Sequence, residues 1–262
     1  MKAIVFSSKD MAGKNIAEAL IEKKFKITDG VFEGNPVYSN GEWDLIETNS
    51  ELVYAEHLNE LNYEKIIFAS RHKAASGKPT LTTHICGNFG ANDLGGERNK
   101  LSKGDALLML SIFKQIKNNN PLADYSISLE ATHHGPFINI PHCWVELGGS
   151  EKQWKDKQAA DFLAECIIKG IENYDEVKGT PVAIGLGGNH YASKFNRYEG
   201  QYAFGHILPK YAQSSLNLKT INQMIQQTTP EPDFIIIDKK GIAQQSEVRK
   251  LIKNLGKEVV VI

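Results

Sequence analysis

Short runs of β-branched and aliphatic residues recur along the chain, separated by stretches whose apolar positions repeat at helical spacing. A chain patterned this way buries its apolar faces as a layered α/β fold. "KAIVFSS" reads as a first strand, and a helix is predicted over about 10–24, with Met11, Ile16, Ala19 and Leu20 on one face. "WDLIET" and "EKIIFAS" are further strands, the second running into a long polar loop, "SRHKAASGKPTLTTHICGNFG". "SKGDALLMLSIFKQIKNNNP" reads as a helix closed by Asn-Asn-Asn-Pro, "DYSISLEAT" as a period-two strand over 124–131, and "CWVEL" as another strand. Ser150 and Gln153 make a capping box before "WKDKQAADFLAECIIKGIENY", where Trp154, Phe162, Cys166 and Ile167 fall near one face. "PVAIGLGGNHY" is a buried strand entering a Gly-Gly turn, and "SSLNLKTINQMIQQ", "DFIIID", "SEVRKLIKNLG" and "KEVVVI" complete a helix–strand–helix–strand series. The pattern predicts an α/β fold with a mixed or mostly parallel central sheet flanked by helices. Residues 1–262 are read as a single domain, with no repeat or low-complexity linker marking a boundary.

Composition removes several classes of function. Hydrophobic residues make up 41% and charged residues 23%, and a net charge of −1 gives no general attraction to polyanions, so any nucleic-acid contact is a local patch and DNA is not expected as a partner. The first residues carry too short an apolar run for a signal peptide, and no stretch approaches the roughly 18 apolar residues of a membrane span. A cytoplasmic monomer is the expectation. Cys86, Cys143 and Cys166 are odd in number, widely spaced and lack a CxxC, so neither a disulfide framework nor a four-thiolate zinc site is written here. A bound metal would be held by histidine and carboxylate.

Of eight histidines, three lie in "SLEATHHGPFINIPHCWVELGGS", two of them adjacent and set between two carboxylates. Ligand clefts of open α/β sheets lie beyond the carboxyl ends of the strands. His72 and His84, His133 and His134, and His190 all follow predicted strands, and His206 in "FGHILP" can return to the same place. Adjacent histidines in extended chain point to opposite sides, so His133 and His134 are expected to do different jobs. Gly135 is expected to supply an unusual dihedral and Pro136 to stiffen the turn. Glu130 and Glu146 flank the segment, and with Ser128 on its side of the strand Glu130 can orient a histidine. His57 and His142 are read as structural residues. The Gly-Gly pair at 187–188 lacks a GxGxxG fingerprint and reads as a tight strand exit. Arg71, Lys73 and Lys78 sit near histidines, where they can hold phosphate.

"SRHKAASGKPTLTTHICGN", "EATHHGPF", "WVELGGSEKQW" and "GGNHYASKF" followed by "GHI" resemble, in order, the motifs of the archaeal and plant D-aminoacyl-tRNA deacylase family. The joint match runs from about residue 66 to 208. It departs from the family's pattern at Asn189, where a third glycine is expected, and at Ser193, where a proline is expected. The resemblance implies a phosphorylase/hydrolase-like α/β fold with likeness to bacterial peptidyl-tRNA hydrolase. It also implies zinc dependence and hydrolysis of the ester joining a D-amino acid to tRNA, a translation quality-control reaction. In plants the family is further linked to clearing aldehyde-modified aminoacyl-tRNA.

An aminoacyl ester is already activated and needs an oriented water, a proton acceptor and donors for the developing oxyanion. No Gly-x-Ser-x-Gly elbow is present, so attack by water is preferred over an acyl-enzyme. His133 or His134 is expected to activate the water, with Glu130 or Glu146 orienting that histidine, while His84 and His190 contact the ester or hold zinc. Candidate metal ligands are His84, His133, His134, His190 and His206, and candidate substrate contacts are His72, Asn88 (for the amino group) and Tyr191. Arg71, Lys73 and Lys78, with Arg98, Lys100 and Lys103, are candidates for the acceptor stem. Two rival readings remain: another hydrolase or phosphorylase acting on a nucleoside or peptidyl ester, and a non-catalytic RNA-binding protein. Replacing Arg71, Lys73 and Lys78 with alanine is expected to weaken tRNA binding and flatten its salt dependence. Filter binding at low and moderate salt checks this; unchanged binding removes the assignment.

Overall fold

The first strand and helix set the frame of the molecule, which is a computed structural model describing residues 1–74, 76–243 and 245–262. β1 (Lys2–Ser7) passes into α1 (Met11–Lys23) through Asp10, whose carboxylate accepts from the Gly13 N–H at 3.0 Å. Such a cap satisfies one of the orphan donors of the first turn. A hairpin, β2 (Lys26–Phe32) and β3 (Asn35–Ser39), precedes β4 (Trp43–Thr48), β5 (Ile66–Lys73), β6 (Thr80–His84) and the short β7 (Gly104–Asp105). Then come α2 (Ala106–Asn119), β8 (Ser126–Leu129), β9 (His142–Gly149), α3 (Glu151–Trp154), α4 (Lys157–Glu172), β10 (Val182–Leu186) and β11 (Ala203–Leu208). The chain closes with α5 (Leu218–Gln226), β12 (Thr228–Thr229), β13 (Phe234–Ile237), α6 (Gln245–Ile252) and β14 (Glu258–Val261).

The larger sheet has the order β12-β7-β9-β5-β1-β4-β3-β2, with β6 joined to β9 and β8 beside the main path. Its centre is parallel, the β2–β3 hairpin is antiparallel, and β6 runs antiparallel to β9 but parallel to β8. This is the mixed, mostly parallel sheet the pattern predicts. Apart from β12, the strands after β9 do not join it: β11-β10-β13-β14 form a second, all-parallel sheet. The reason lies in their own apolar surface, because Ile184, Leu186, Ile235 and Ile237 pack with Ile221, Met224, Val248 and Ile252 in a separate cluster.

One face of the central strands is apolar. Ile67, Ala69, Leu81, Cys143, Val145 and Leu147 pack against Ile16 and Leu20 of α1, Ile112 and Phe113 of α2, and Leu163 and Ile167 of α4. The opposite face carries a row of polar side chains that builds the site.

Several local expectations are corrected. Met11 is exposed rather than packed on the face of α1. The hairpin over 26–39 was not visible in the sequence because the side chains of β2 are almost all exposed and carry no burial pattern. The long "loop" after β5 contains β6, whose threonines disguise a buried strand as a polar segment. The helix predicted from Trp154 onward is broken, since Asp156 accepts from the Gln158 and Ala159 N–H groups and starts α4 afresh. The capping box before it is present, with Gln153 Oε1 accepting from the Ser150 N–H at 3.0 Å. No helix among the described residues is long and apolar enough to cross a membrane.

His142 matches its structural reading: it is fully buried, with Nδ1 3.1 Å from the Ile140 carbonyl and Nε2 3.1 Å from Cys86 Sγ. Burial pushes its imidazole down to about 3, and burial likewise takes His206 down to about 4. The unfolded chain takes up these protons near pH 6.5, whereas the folded chain does so only at its depressed pKa. Their stabilisation is therefore complete above about pH 6.5 and is lost as pH falls toward 4, with a slope of about 1.4 kcal/mol per pH unit for each group. Denaturant melts between pH 7 and 4.5 are expected to show this fall, and His142→Asn to remove about one proton from the slope; an identical slope in the variant contradicts the assignment.

Candidate active site

Register decides which polar side chains meet. On the polar face, Ser70, Glu146 and Thr82 lie side by side across β5, β9 and β6. Phe68, Trp144 and His84 form the neighbouring row, and His72, Gly148 and Thr80 the next. Alternation along each strand then points His72, Glu146 and His84 the same way. Gly148 leaves room for this: a Cβ there would stand 2.0 Å from Thr80 Oγ1 and 3.0 Å from His72 Cβ. Trp144, missed in the sequence reading, stacks on His84 at 5.7 Å between ring centroids and meets the edge of His134 at 4.8 Å. Its signal was its position two residues before Glu146 on the same strand.

The "EATHHGP" segment crosses the carboxyl ends of β6 and β8. The Glu130 N–H donates to the Thr83 carbonyl at 2.9 Å, and the Ala131 N–H to the His190 carbonyl at 2.8 Å, so one backbone path joins three histidine-bearing loops. His133 and His134 do not point apart. Both rings enter the cluster with centroids 4.4 Å apart, because His134 takes a left-handed φ of +48° that swings its side chain round. The sequence reading placed the unusual dihedral at Gly135. Glycine is needed there for space instead, since a Cβ would stand 2.1 Å from the Gly96 nitrogen. His133 Nδ1 lies 2.8 Å from the Ala131 carbonyl and His134 Nδ1 2.6 Å from the Gly135 carbonyl. Each Nδ1 is thereby the donor, which leaves both Nε2 lone pairs for a metal or a proton.

Glu130 and Glu146, each 2% exposed, form the floor. His72 Nδ1 is 3.1 Å from Glu130 and 3.4 Å from Glu146, and His190 Nε2 is 3.1 Å from Glu130. His84 Nε2 is 3.5 Å from Glu146, and His133 Nε2 3.5 Å from Glu130. Despite this proximity, both Glu130 oxygens, Glu146 Oε2 and both His84 nitrogens have no aligned hydrogen-bond partner among the described residues. Burial acts to raise the Glu146 pKa, but His84 and His72 beside it outweigh burial and hold the carboxyl well below the usual range. His72 responds in kind: burial lowers its pKa, and the two glutamates more than offset that. Burial and the neighbouring imidazoles push His133 well down, and burial with His84 takes His134 to about 4.

Three overlapping groups could hold a metal ion, namely His84–His133–His134, His72–Glu130–His190 and His84–Glu130–Glu146, with ligand atoms in each group within 4.8 Å of one another. Within the two groups that include a glutamate, donor spacings of 3.1–3.5 Å suit atoms sharing one ion at bond lengths of about 2.1 Å. Buried donors without hydrogen-bond partners, in an imidazole–carboxylate set, fit zinc or a similar divalent cation.

The cluster opens into a cleft of about 380 Å³ lined by Arg71, His72, Lys73, His133, His134, Glu146 and His190, with Leu52, Val53, Leu94 and Trp144 as apolar walls. Tyr191 reaches the cluster through its hydroxyl, 3.2 Å from His72 Nε2. Other expected residues are placed elsewhere. His206 is no ligand: it is fully buried on β11, with Nδ1 3.1 Å from Thr132 Oγ1 and Nε2 2.9 Å from the Ser102 carbonyl, so both nitrogens are taken. Asn88 donates its amide to the Gly95 carbonyl at 2.9 Å and braces the 90–99 loop rather than meeting the cluster. Arg71 and Lys73 do line the cleft, Arg71 donating to the Lys9 carbonyl at 3.0 Å with its guanidinium over Trp154, whereas Lys78, Arg98, Lys100 and Lys103 are not among the residues lining it. His57, read as structural, bonds Glu33 Oε1 at 2.6 Å away from the cluster.

Fold and site together define an α/β protein with a buried histidine–carboxylate centre at the carboxyl ends of its strands. Residues 59–260 match the family model described as D-aminoacyl-tRNA deacylase, and the chain belongs to that family. It is 40% identical to the D-aminoacyl-tRNA deacylase of Thermococcus onnurineus and 38% identical to that of Pyrococcus horikoshii, over 99% of this chain and 97% of each relative. A crystal structure of AF0625, a conserved protein of unknown function, superposes with a TM-score of 0.87 at 31% identity, covering 100% of this chain and 95% of the other.

The tight fit at Gly148 has a measurable consequence. Gly148→Ala is expected to destabilise the protein by about 1–3 kcal/mol through overpacking and to displace His72. A Thr80→Ala background, which removes the nearest clashing atom, is expected to recover part of that loss. Chemical denaturation of the double-mutant cycle checks the fit, and additive losses contradict it.

Proposed function

We propose that this protein hydrolyses the ester between a D-amino acid and the terminal ribose of tRNA, releasing the free amino acid and tRNA as a translation quality-control step in the cytoplasm. The observation that carries this reading is the convergence of His72, His84, Glu130, His133, His134, Glu146 and His190 in one cluster, of which His72, His133, His134, Glu146 and His190 line the cleft. Family membership across nearly the full chain supplies the substrate class.

Zinc would be held by His84, His133 and His134, where it would supply Lewis-acid polarisation and a lowered pKa for water. The protein's own groups do the rest. Glu130, buried and without an aligned donor, accepts the proton of the water that attacks the ester carbonyl. As the bond to the ribose oxygen breaks, Glu130 passes that proton to His190, 3.1 Å away, which delivers it to the oxygen; the His190 side chain is the most exposed of the glutamate-contacting imidazoles of the cluster, at 33%, and lines the cleft. Glu146 holds His84 and His72 in orientation, and Tyr191 steadies His72 through its hydroxyl. The walls formed by Leu52, Val53 and Trp144 receive the amino-acid side chain and set the preference for the D form.

Purified protein is expected to release D-tyrosine from D-tyrosyl-tRNA in preference to L-tyrosine from L-tyrosyl-tRNA, and to lose activity on chelation. Glu130→Gln is expected to lower kcat by about 10²–10⁴. His133→Ala/His134→Ala is expected to lose bound metal, read by elemental analysis independently of turnover. No release above the uncatalysed rate by folded, metal-loaded protein rejects the deacylase reading.

A further inference from the structure

A second cavity, of about 660 Å³, shares His190 with the catalytic cleft and is otherwise lined by none of the residues of the histidine–carboxylate cluster. It sits at the carboxyl ends of three neighbouring parallel strands. Gly188 to Lys194 come after β10, Lys210 and Tyr211 after β11, and Lys240 and Gly241 after β13. This is where parallel α/β sheets receive nucleotides and other phosphorylated ligands.

Its chemistry differs from that of the catalytic cleft. Three lysines face it, and only one is neutralised: Lys194 pairs with Asp238, while Lys210 and Lys240 have no carboxylate within salt-bridge distance among the described residues. Two glycines, Gly188 and Gly241, bring backbone into its lining. Gly188 has a φ of +87°, and a Cβ on Gly241 would stand 2.3 Å from the Gly188 nitrogen, so the two loops approach at a distance only glycine allows. Tyr211 is 64% exposed on the rim and offers an aromatic ring to solvent. Unpaired cations tracking a backbone, beside an exposed ring on which a base can stack, are the elements of a single-strand nucleic-acid site.

We propose that this cavity binds the single-stranded 3′ end of the tRNA, with Tyr211 stacking on a terminal base and Lys210 and Lys240 holding its phosphates. His190, common to both cavities, then marks the point where the terminal ribose hands the aminoacyl group into the catalytic cleft. This assignment rests on the deacylase reading for its substrate. It deepens that reading by giving the strand end a place separate from the amino acid. The Gly-Gly pair at 187–188, weak as a sequence motif, becomes the turn that opens this cavity.

The test uses the full-length protein in two arms. In the first, binding of a 5′-labelled CCA trinucleotide is followed by anisotropy, with AMP as a competing mononucleotide. Tyr211→Ala is expected to weaken CCA binding by about 10-fold or more, and Tyr211→Phe to retain it, as stacking predicts. Lys210→Ala/Lys240→Ala is expected to weaken binding and reduce the salt slope by about 0.7 for each phosphate no longer neutralised. In the second arm, the same variants are expected to raise KM for D-aminoacyl-tRNA with kcat nearly unchanged. All three side chains are on the surface, and thermal melts check that the variants remain folded. CCA binding indifferent to these substitutions, or AMP binding as tightly as CCA, overturns the proposal even if the wild type hydrolyses D-aminoacyl-tRNA. Conversely, Tyr211- and lysine-dependent CCA binding by a protein that hydrolyses nothing upholds the strand-end site and rejects the deacylase reading.

Discussion

Two glutamates buried side by side with few aligned donors are the constraint on which the rest of the structure depends. A carboxylate moved out of water is costly, and a second one nearby adds like-charge repulsion, so the pair persists only if positive charge is brought to it. The fold answers with five imidazoles drawn from four segments: His72 on β5, His84 on β6, His133 and His134 after β8, and His190 after β10. Whether as protons on histidine or as a divalent cation, the compensating charge has to sit at the centre of this group. The cluster is therefore both the least self-sufficient part of the molecule and its most chemically capable one.

Holding those groups requires backbone that a less constrained loop would not adopt. His134 occupies left-handed space, which costs a non-glycine residue roughly 1 kcal/mol or more, and it is kept there by the packing of its neighbours. Gly135 fits against Gly96, and Gly148 against Thr80 and His72, each at a separation that excludes a methyl group. Close approach of backbone, rather than flexibility, explains these glycines. The hydrogen bonds from His133 and His134 Nδ1 to carbonyls one or two residues away then fix ring orientation and tautomer together.

The division into two sheets has a functional reading as well. The larger sheet supplies the carboxylates and four of the imidazoles, while the smaller one supplies His190 and the lysine-rich cavity beyond it. Backbone bonds from Ala131 to His190 and from Thr132 to Ile207 tie the two together at the site itself. A substrate with an amino acid at one end and a nucleotide at the other meets a matching pair of cavities joined at a single histidine.

Most of the site's inventory is legible in the order of residues. Strand and helix alternation predicts the α/β architecture, and the rule that clefts lie beyond strand ends points to His72, His84, His133, His134 and His190, and equally to His206, which is no ligand; Glu130 and Glu146 stand out only as the carboxylates flanking the histidine pair. Those inferences are local, depending on periodicity and on the residue types at the end of each strand. Long-range matters depend on how distant segments pack. Pairing of β6 between β8 and β9 turned an apparently polar loop into part of the site's wall, and the left-handed turn at His134 put adjacent histidines on the same side. The carbonyl of Ser102, 104 residues from His206, took the nitrogen that a ligand would need. Trp144 became a wall of the site through the register of β9 against β6. Residue types and spacing carry no information about which distant backbone atom will be about 3 Å away, and a hydrogen bond at that distance separates a ligand from a packed core histidine.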